Sequence, residues 1–149
     1  MRNYNNPYQR EELRYPKEYE KEIQVYCKSR SAQTVTSSPF PRIVDFWFLS
    51  FCIGVKEDVR LPITRANTVK FIDGTIFTRD PWRIQILNMF AIGYKQEATI
   101  IERPNEIIQI ANEFAAGGME FVLDMLKGHS SPIDNICTEL DQILTSGRG

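Results

Sequence analysis

Histidine occurs once in this chain, at His129, and the three cysteines, Cys27, Cys52 and Cys137, are far apart with no Cys-x-x-Cys pair. A zinc site of thiolates or imidazoles therefore lacks ligands, and three scattered thiols make no disulfide framework. Any Ser-His-Asp or Cys-His relay would rest on His129 alone, in the short segment Lys-Gly-His-Ser-Ser-Pro between two helical stretches. Gly-x-x-x-x-Gly-Lys and Gly-x-Gly-x-x-Gly are both missing, which argues against nucleotide hydrolysis. Long apolar runs are missing too. The richest, Arg42 to Gly54, is interrupted by Asp45 and falls short of the roughly 20 residues that cross a bilayer. The first twenty-two residues are polar, without the apolar core of a secretory signal. The expected setting is the cytoplasm, with no membrane and no cofactor.

What is present is ordinary in amount and uneven in placement. The 149 residues are 42% hydrophobic and 25% charged, with a net charge of −1, enough chain for one domain with a real core. Residues 1–103 hold 16 Lys and Arg against 12 Asp and Glu, whereas residues 104–149 hold 2 against 7. Such asymmetry suits an anionic partner on the first part and a basic one on the last, or simply acidic solvent faces on the C-terminal helices.

The organising stretch is Pro104 to Lys127. Ile107, Ile108, Ala111, Phe114, Ala115, Met119, Val122 and Leu126 recur every three or four residues, the spacing of one helix face. Pro104 suits a first turn and Asn105 a cap. Gly117 and Gly118 each cost roughly 1 kcal/mol against alanine in a helix, so the pair marks either a break between two helices or a face packed closely against another backbone, and close packing, with or without a kink, is the favoured reading. Arg42 to Gly54 is apolar nearly all round and reads as the buried central helix, ended by Gly54, with Phe46, Trp47, Phe48 and Phe51 filling the core. Cys52, in the same run, reads as a small buried hydrophobe. Asp45 asks for a partner, for which Arg42 is at hand.

The remaining elements follow in chain order. Residues 1–14 lack apolar periodicity and read as a flexible arm, with Tyr4, Tyr8 and Arg10 as candidate partner-binding residues. Residues 15–145 form one helical domain and 146–149 a flexible tail. Tyr15-Pro16 opens a helix to about Arg30, turned inward through Tyr19, Ile23, Tyr26 and Cys27. Asp73-Gly74 between β-favouring residues predicts a hairpin over 68–79, with Phe71 facing Ile76 and Lys70 facing Phe77. A helix from Pro81 to Tyr94, capped by Asp80, is expected to face inward through Trp82, Ile86, Met89, Phe90 and Gly93. A last helix from Ser131 to Leu144 turns Ile133, Ile136, Cys137, Leu140 and Leu144 inward. The fold class is mainly α with one small β-hairpin, about five helices in all.

For chemistry, Arg60, Arg65, Lys70, Arg79 and Arg83 lie in the hairpin and its flanks, where a two-stranded ribbon meets phosphates, with Phe77 as a stacking surface. Glu57, Asp58, Asp73 and Asp80 dilute this basic face, and a merely solvated strand face reads equally well. Asp73, Glu97, Glu102 and Lys95 compose a magnesium-dependent nuclease site on paper, but Asp73 already has a turn to make.

Several stretches are similar to the DNA phosphorothioation-associated protein 4 family, accessory proteins of bacterial phosphorothioation and restriction loci. They are Tyr15-Pro16-Lys17-Glu18-Tyr19, Ser38-Pro39-Phe40, Ile53-Gly54-Val55-Lys56, Arg60-Leu61-Pro62-Ile63 and Ala111 to Met119, in an order that covers most of residues 15–127. The chain departs from the pattern before Tyr15, in the Phe and Trp excess of 46–51, and after His129. The resemblance implies a role in antiphage defence beside DNA-modifying or DNA-cleaving partners, and brings no catalytic residues with it. The leading expectation is a non-enzymatic accessory subunit that binds other defence subunits, with double-stranded DNA and a second copy of itself as further candidate partners. The alternatives are a stand-alone DNA-binding module or transcriptional regulator, and a metal-dependent nuclease.

Overall fold

A computed structural model of the chain describes residues 6–27 and 37–147. Strand β1 (Glu12–Pro16) leads through a 3-10 turn into a short helix α1 (Glu20–Tyr26). Helix α2 (Ile43–Glu57), strand β2 (Thr68–Asp73) and helices α3 (Pro81–Lys95), α4 (Pro104–Leu126) and α5 (Pro132–Ser146) follow, with 3-10 turns after β2 and α3. The class is the expected one, mainly helical with a two-stranded antiparallel sheet.

The sheet itself is paired differently from the expectation. β2 does not fold back on 75–79; its partner is β1, with Glu12 opposite Asp73 and Pro16 opposite Thr68. A bulge between Leu13 and Arg14 leaves Phe71 unmatched and stacked on Tyr15 at 5.6 Å. Asp73 and Gly74 serve other ends. Asp73 Oδ1 accepts from Thr75 N at 3.0 Å and starts a 3-10 turn. Gly74 is needed because a Cβ there would lie 1.9 Å from Tyr8 O. An Asp-Gly pair reports a local chain reversal and says nothing of which strand pairs across it.

Residues 6–14 are consequently packed, not a loose arm. Leu13 and Tyr8 are fully buried. Asn6 Nδ2 donates to Gly74 O at 2.8 Å, and the Tyr8 hydroxyl donates to Asn88 Oδ1. Burial pushes the Tyr8 phenol well above its usual range. Residues 15–19 are strand and 3-10 turn, so the expected helix starts at Glu20. Its expected end at Arg30, like Tyr4, lies outside the described residues.

The core is the contact of α2 with α4. A Cβ on Gly118 would stand 1.8 Å from Ser50 O, one on Gly54 would stand 2.0 Å from Phe114 O, and one on Gly117 would stand 2.0 Å from Val59 O. The glycines therefore let α4 touch the backbone of α2 and of the segment after it, as close packing required, and α4 runs unbroken from 104 to 126. Gly54 does not end α2. It lies inside the helix, which stops three residues later where Asp58 takes a left-handed φ of 54°. Because α2 covers one side of α4 and β1 another, α4 is buried on every face from Ile110 to Met119, Asn112 and Glu113 included.

Aromatic rings link the layers. Trp47 stacks with Phe51 at 6.2 Å, Phe51 meets Phe90 edge-on at 5.0 Å, and Phe90 meets Phe114 at 5.5 Å. α3 is rotated from the expected orientation. Arg83, Ile84, Leu87 and Ala91 are buried, while Trp82, Ile86 and Met89 are 49%, 38% and 72% exposed. The cause is Arg83, which turns inward to reach Asp45 at 2.7 Å. Asp80 occupies the cap position of α3 without a capping bond and pairs with Arg42 at 3.2 Å instead. Asn105 likewise does not cap α4, whose cap position is Arg103. On α5, Ser131 caps as expected, yet Ile136 is the buried residue and Leu144 is 68% exposed. Cys52 and Cys137 are exposed. Among the described residues no helix is long and apolar enough to cross a membrane.

Candidate interaction groove

Asn112 fastens the β1 edge to the helical core. Its Oδ1 accepts from Arg14 N and from Trp47 Nε1, both at 3.0 Å, and its Nδ2 donates to Glu12 O at 2.9 Å. A strand edge otherwise leaves such groups unpaired, so one buried amide takes the place of a further strand. Between that edge, the loop around 63–65 and the first turns of α4 lies a groove of about 560 Å³.

Three guanidiniums and three carboxylates line it: Arg10, Arg14 and Arg65, with Glu11, Glu12 and Glu106. Their states differ. Arg14 is held by Glu12 at 2.6 Å and by Thr68 Oγ1 at 2.8 Å. Glu106 accepts from Arg103 at 2.9 Å and faces Lys95 at 3.2 Å, and these partners, Arg103 foremost, hold its carboxyl below its usual range. Arg10 and Arg65 are exposed and make no ion pair or hydrogen bond among the described residues. Burial, and then the neighbouring Glu12, raise the Glu11 carboxyl. The amides of Asn105 and Gln109 complete a polar wall. Such a surface offers paired donors and acceptors of both signs and no nucleophile–base arrangement.

The six residues expected to meet DNA do not form one face. Phe77 is fully buried, edge-on to Tyr8 at 6.1 Å, and offers no stacking surface. Arg83 is buried against Asp45 and lies 4.9 Å from the Trp82 ring. Burial alone would raise the Asp45 carboxyl, but hydrogen bonds from Arg42 and Arg83 outweigh it and hold the group below its ordinary value. The expected Arg42–Asp45 pair is present at 2.9 Å. Arg60 is committed to Glu113 at 3.1 Å and to the Tyr94 hydroxyl at 2.9 Å. Arg65, Lys70 and Arg79 remain exposed.

Of the partner-binding candidates, Arg10 reaches the groove, Tyr8 is spent in the core, and Tyr4 lies outside the described residues. Arg14 and Asn112 were not legible as site residues. The available signal for Asn112 was a polar residue set between Ala111 and Phe114. The nuclease arrangement is not assembled. Glu97 pairs with Arg103 at 2.9 Å, Lys95 with Glu106, and no three His, Cys, Asp or Glu among the described residues are placed to hold a metal. His129 is exposed in the turn before α5.

No curated protein and no solved structure matches this chain. A family model does match, over residues 12–146, from the first residue of β1 to the last of α5. That span takes in the groove's Glu12, Arg14, Arg65 and Asn112 and the glycine contact of α2 with α4. It agrees with the resemblance carried by Tyr15-Pro16, Arg60 to Ile63 and Ala111 to Met119. The chain belongs to the family of DNA sulphur modification system-associated protein 4.

Proposed function

We propose that this chain is a non-enzymatic accessory subunit of a DNA sulphur modification system, serving antiphage defence by docking a protein component of that system in the groove beside β1. Family membership supports the association with such a system. The observation that carries the docking role is the pair of exposed guanidiniums, Arg10 and Arg65, left without partners on a polar groove of about 560 Å³. The lining has equal numbers of arginines and glutamates. A peptide segment with charges of both signs complements it, whereas a phosphate backbone, negative throughout, would meet Glu11 and Glu12.

The test is co-purification of the tagged chain with each component of the modification system, for wild type and for Arg10→Glu with Arg65→Glu. One component should co-elute with wild type and be lost with the double variant. A folded chain that stays alone with every component sinks the proposal.

A second reading, direct binding of duplex DNA, rests on Arg65, Lys70 and Arg79, which stay exposed around β2. Fluorescence anisotropy of plain and phosphorothioated duplexes at two salt concentrations decides it. Lys70→Ala with Arg79→Ala should weaken binding and reduce the salt slope by about 2, one released counterion per lost phosphate contact. An unchanged slope removes these residues from the interface.

A further inference from the structure

The outward face of α3 carries an uncharged seam. Trp82, Ile86, Met89 and Gly93 are spaced by four, three and four residues, the alternation of core positions in a heptad, and they fall on one stripe of the helix. All four are at least 38% exposed or open to solvent: Trp82 49%, Ile86 38%, Met89 72%, and Gly93 with nothing within 4 Å of where a Cβ would stand. From Pro81 to Tyr94 the single ionisable chain besides the Tyr94 phenol is Arg83, whose guanidinium is buried against Asp45 and lies 4.9 Å from the Trp82 ring, its charge already paired. Surface helices ordinarily carry charge on such a face, and depletion of charge with Trp and Met enrichment marks the centre of protein interfaces.

The order of the seam suits a second copy of the same helix. Read backwards, the spacing is the same, so a second α3 laid antiparallel across a two-fold axis between Leu87 and Asn88 sets Trp82 opposite Gly93 and Ile86 opposite Met89. Each contact then occurs twice, as an isologous interface requires. The match is also one of size. The bulkiest residue of the seam, Trp82, meets the residue that has no side chain, and Gly93 is the position where nothing else fills the space. In antiparallel helix pairs an a position layers with a d position, which is the pairing that this spacing produces.

We propose that this chain self-associates through α3, as an antiparallel pair of α3 helices with Trp82 seated over Gly93 of the second copy. A 15-residue helix is about 22 Å long, so one helix pair buries less than the roughly 800 Å² per partner of a standard interface, and the dimer is weak, on the order of 10–100 μM.

Sedimentation velocity of the full chain up to about 500 μM, several times that dissociation constant, reads the association directly. Wild type should show a reversible monomer–dimer equilibrium. Gly93→Leu should raise the dissociation constant at least about tenfold, and its thermal melt should not fall, since the site is open in the monomer. Ile86→Lys and Met89→Glu should each give monomers, and the two together should restore the dimer by facing lysine with glutamate of the other copy. Wild type that stays monomeric throughout overturns the proposal and leaves the seam to a helix of another protein. A dimer indifferent to Gly93→Leu, or a double variant that stays monomeric, overturns it as well.

Discussion

The same substitution, glycine to alanine, should have opposite signs at two helical positions of this chain. At Gly118 the added Cβ would lie 1.8 Å from Ser50 O and 2.7 Å from Gly54 N, all backbone and all on the facing helix. Ordinary contact begins near 3.4 Å, so α2 must move away from α4 by about 1.5 Å or the backbone must distort. Overpacking of this kind costs about 1–3 kcal/mol, and the lower helix propensity of glycine returns about 1 kcal/mol of it. Because the obstruction is backbone and no rotamer relieves it, the upper end applies, and Gly118→Ala should destabilise by about 2 kcal/mol net. At about 2–4 °C per kcal/mol for a chain of this size, the melting temperature should fall by about 4–8 °C. Gly93 on α3 has nothing within 4 Å of a Cβ, so Gly93→Ala should stabilise by about 1 kcal/mol. Urea unfolding of both variants beside wild type, followed by circular dichroism in dilute solution, reads the two signs. A Gly118→Ala protein as stable as wild type would refute the direct backbone contact of α2 with α4.

Three further outcomes follow from the buried polar groups and the groove. Asn112→Leu removes one partner each from Trp47 Nε1, Arg14 N and Glu12 O and should cost about 2–4 kcal/mol, with loss of tryptophan near-ultraviolet dichroism as a second sign. Asp45→Asn leaves Arg83, 7% exposed, without its countercharge, a change worth about 3 kcal/mol at neutral pH. The Asp45 carboxyl is held below its ordinary value of 3.8, so its contribution is present above that pH and lost as pH falls through the folded value. The stability gap between wild type and Asp45→Asn should therefore close on acidification, and a gap that is constant from pH 7 to about 2 would refute the pairing. Arg10→Ala with Arg65→Ala removes only exposed, unpartnered groups, and should shift stability by less than about 0.5 kcal/mol in denaturant titrations.

What was legible in the sequence was whatever depends on local period and local chemistry. The α4 stripe, the capping by Ser131 and the Arg42–Asp45 pair three residues apart need no knowledge of the rest of the chain. The glycine pair told of close packing because two helix-weakening residues in a row persist inside a helix chiefly where a neighbouring backbone leaves no room for a Cβ. What was not legible depends on partners far away in sequence. β1 lies more than fifty residues from β2, and its short polar alternation of Glu12, Leu13, Arg14 and Tyr15 resembles an arm until the second strand is beside it.

The rotation of α3 has the same origin. Its apolar residues occur nearly all round, so the period fixes no single face, and the choice falls to a charge pair, Arg83 with Asp45, between residues 38 apart. The groove was hidden for a related reason. Arg10 and Arg65 belong to segments of no marked composition and come to one groove only once β1 is paired with β2 and tied to α4 through Asn112. The basic ribbon expected over 68–79 gathered cations by sequence neighbourhood, and folding scattered them. Arg83 went to the core and Arg60 to Glu113, while Lys70 stayed on the surface.

The docking proposed for the groove beside β1, with a protein component of the DNA sulphur modification system as its ligand, is read by isothermal titration of each purified component into wild type and into Arg10→Ala/Arg65→Ala. Wild type should bind one component saturably, and the double variant should bind it about tenfold or more weakly, a loss of about 1.4 kcal/mol or more. Equal affinity for the two proteins, or no binding of any component to the folded wild type, would contradict it.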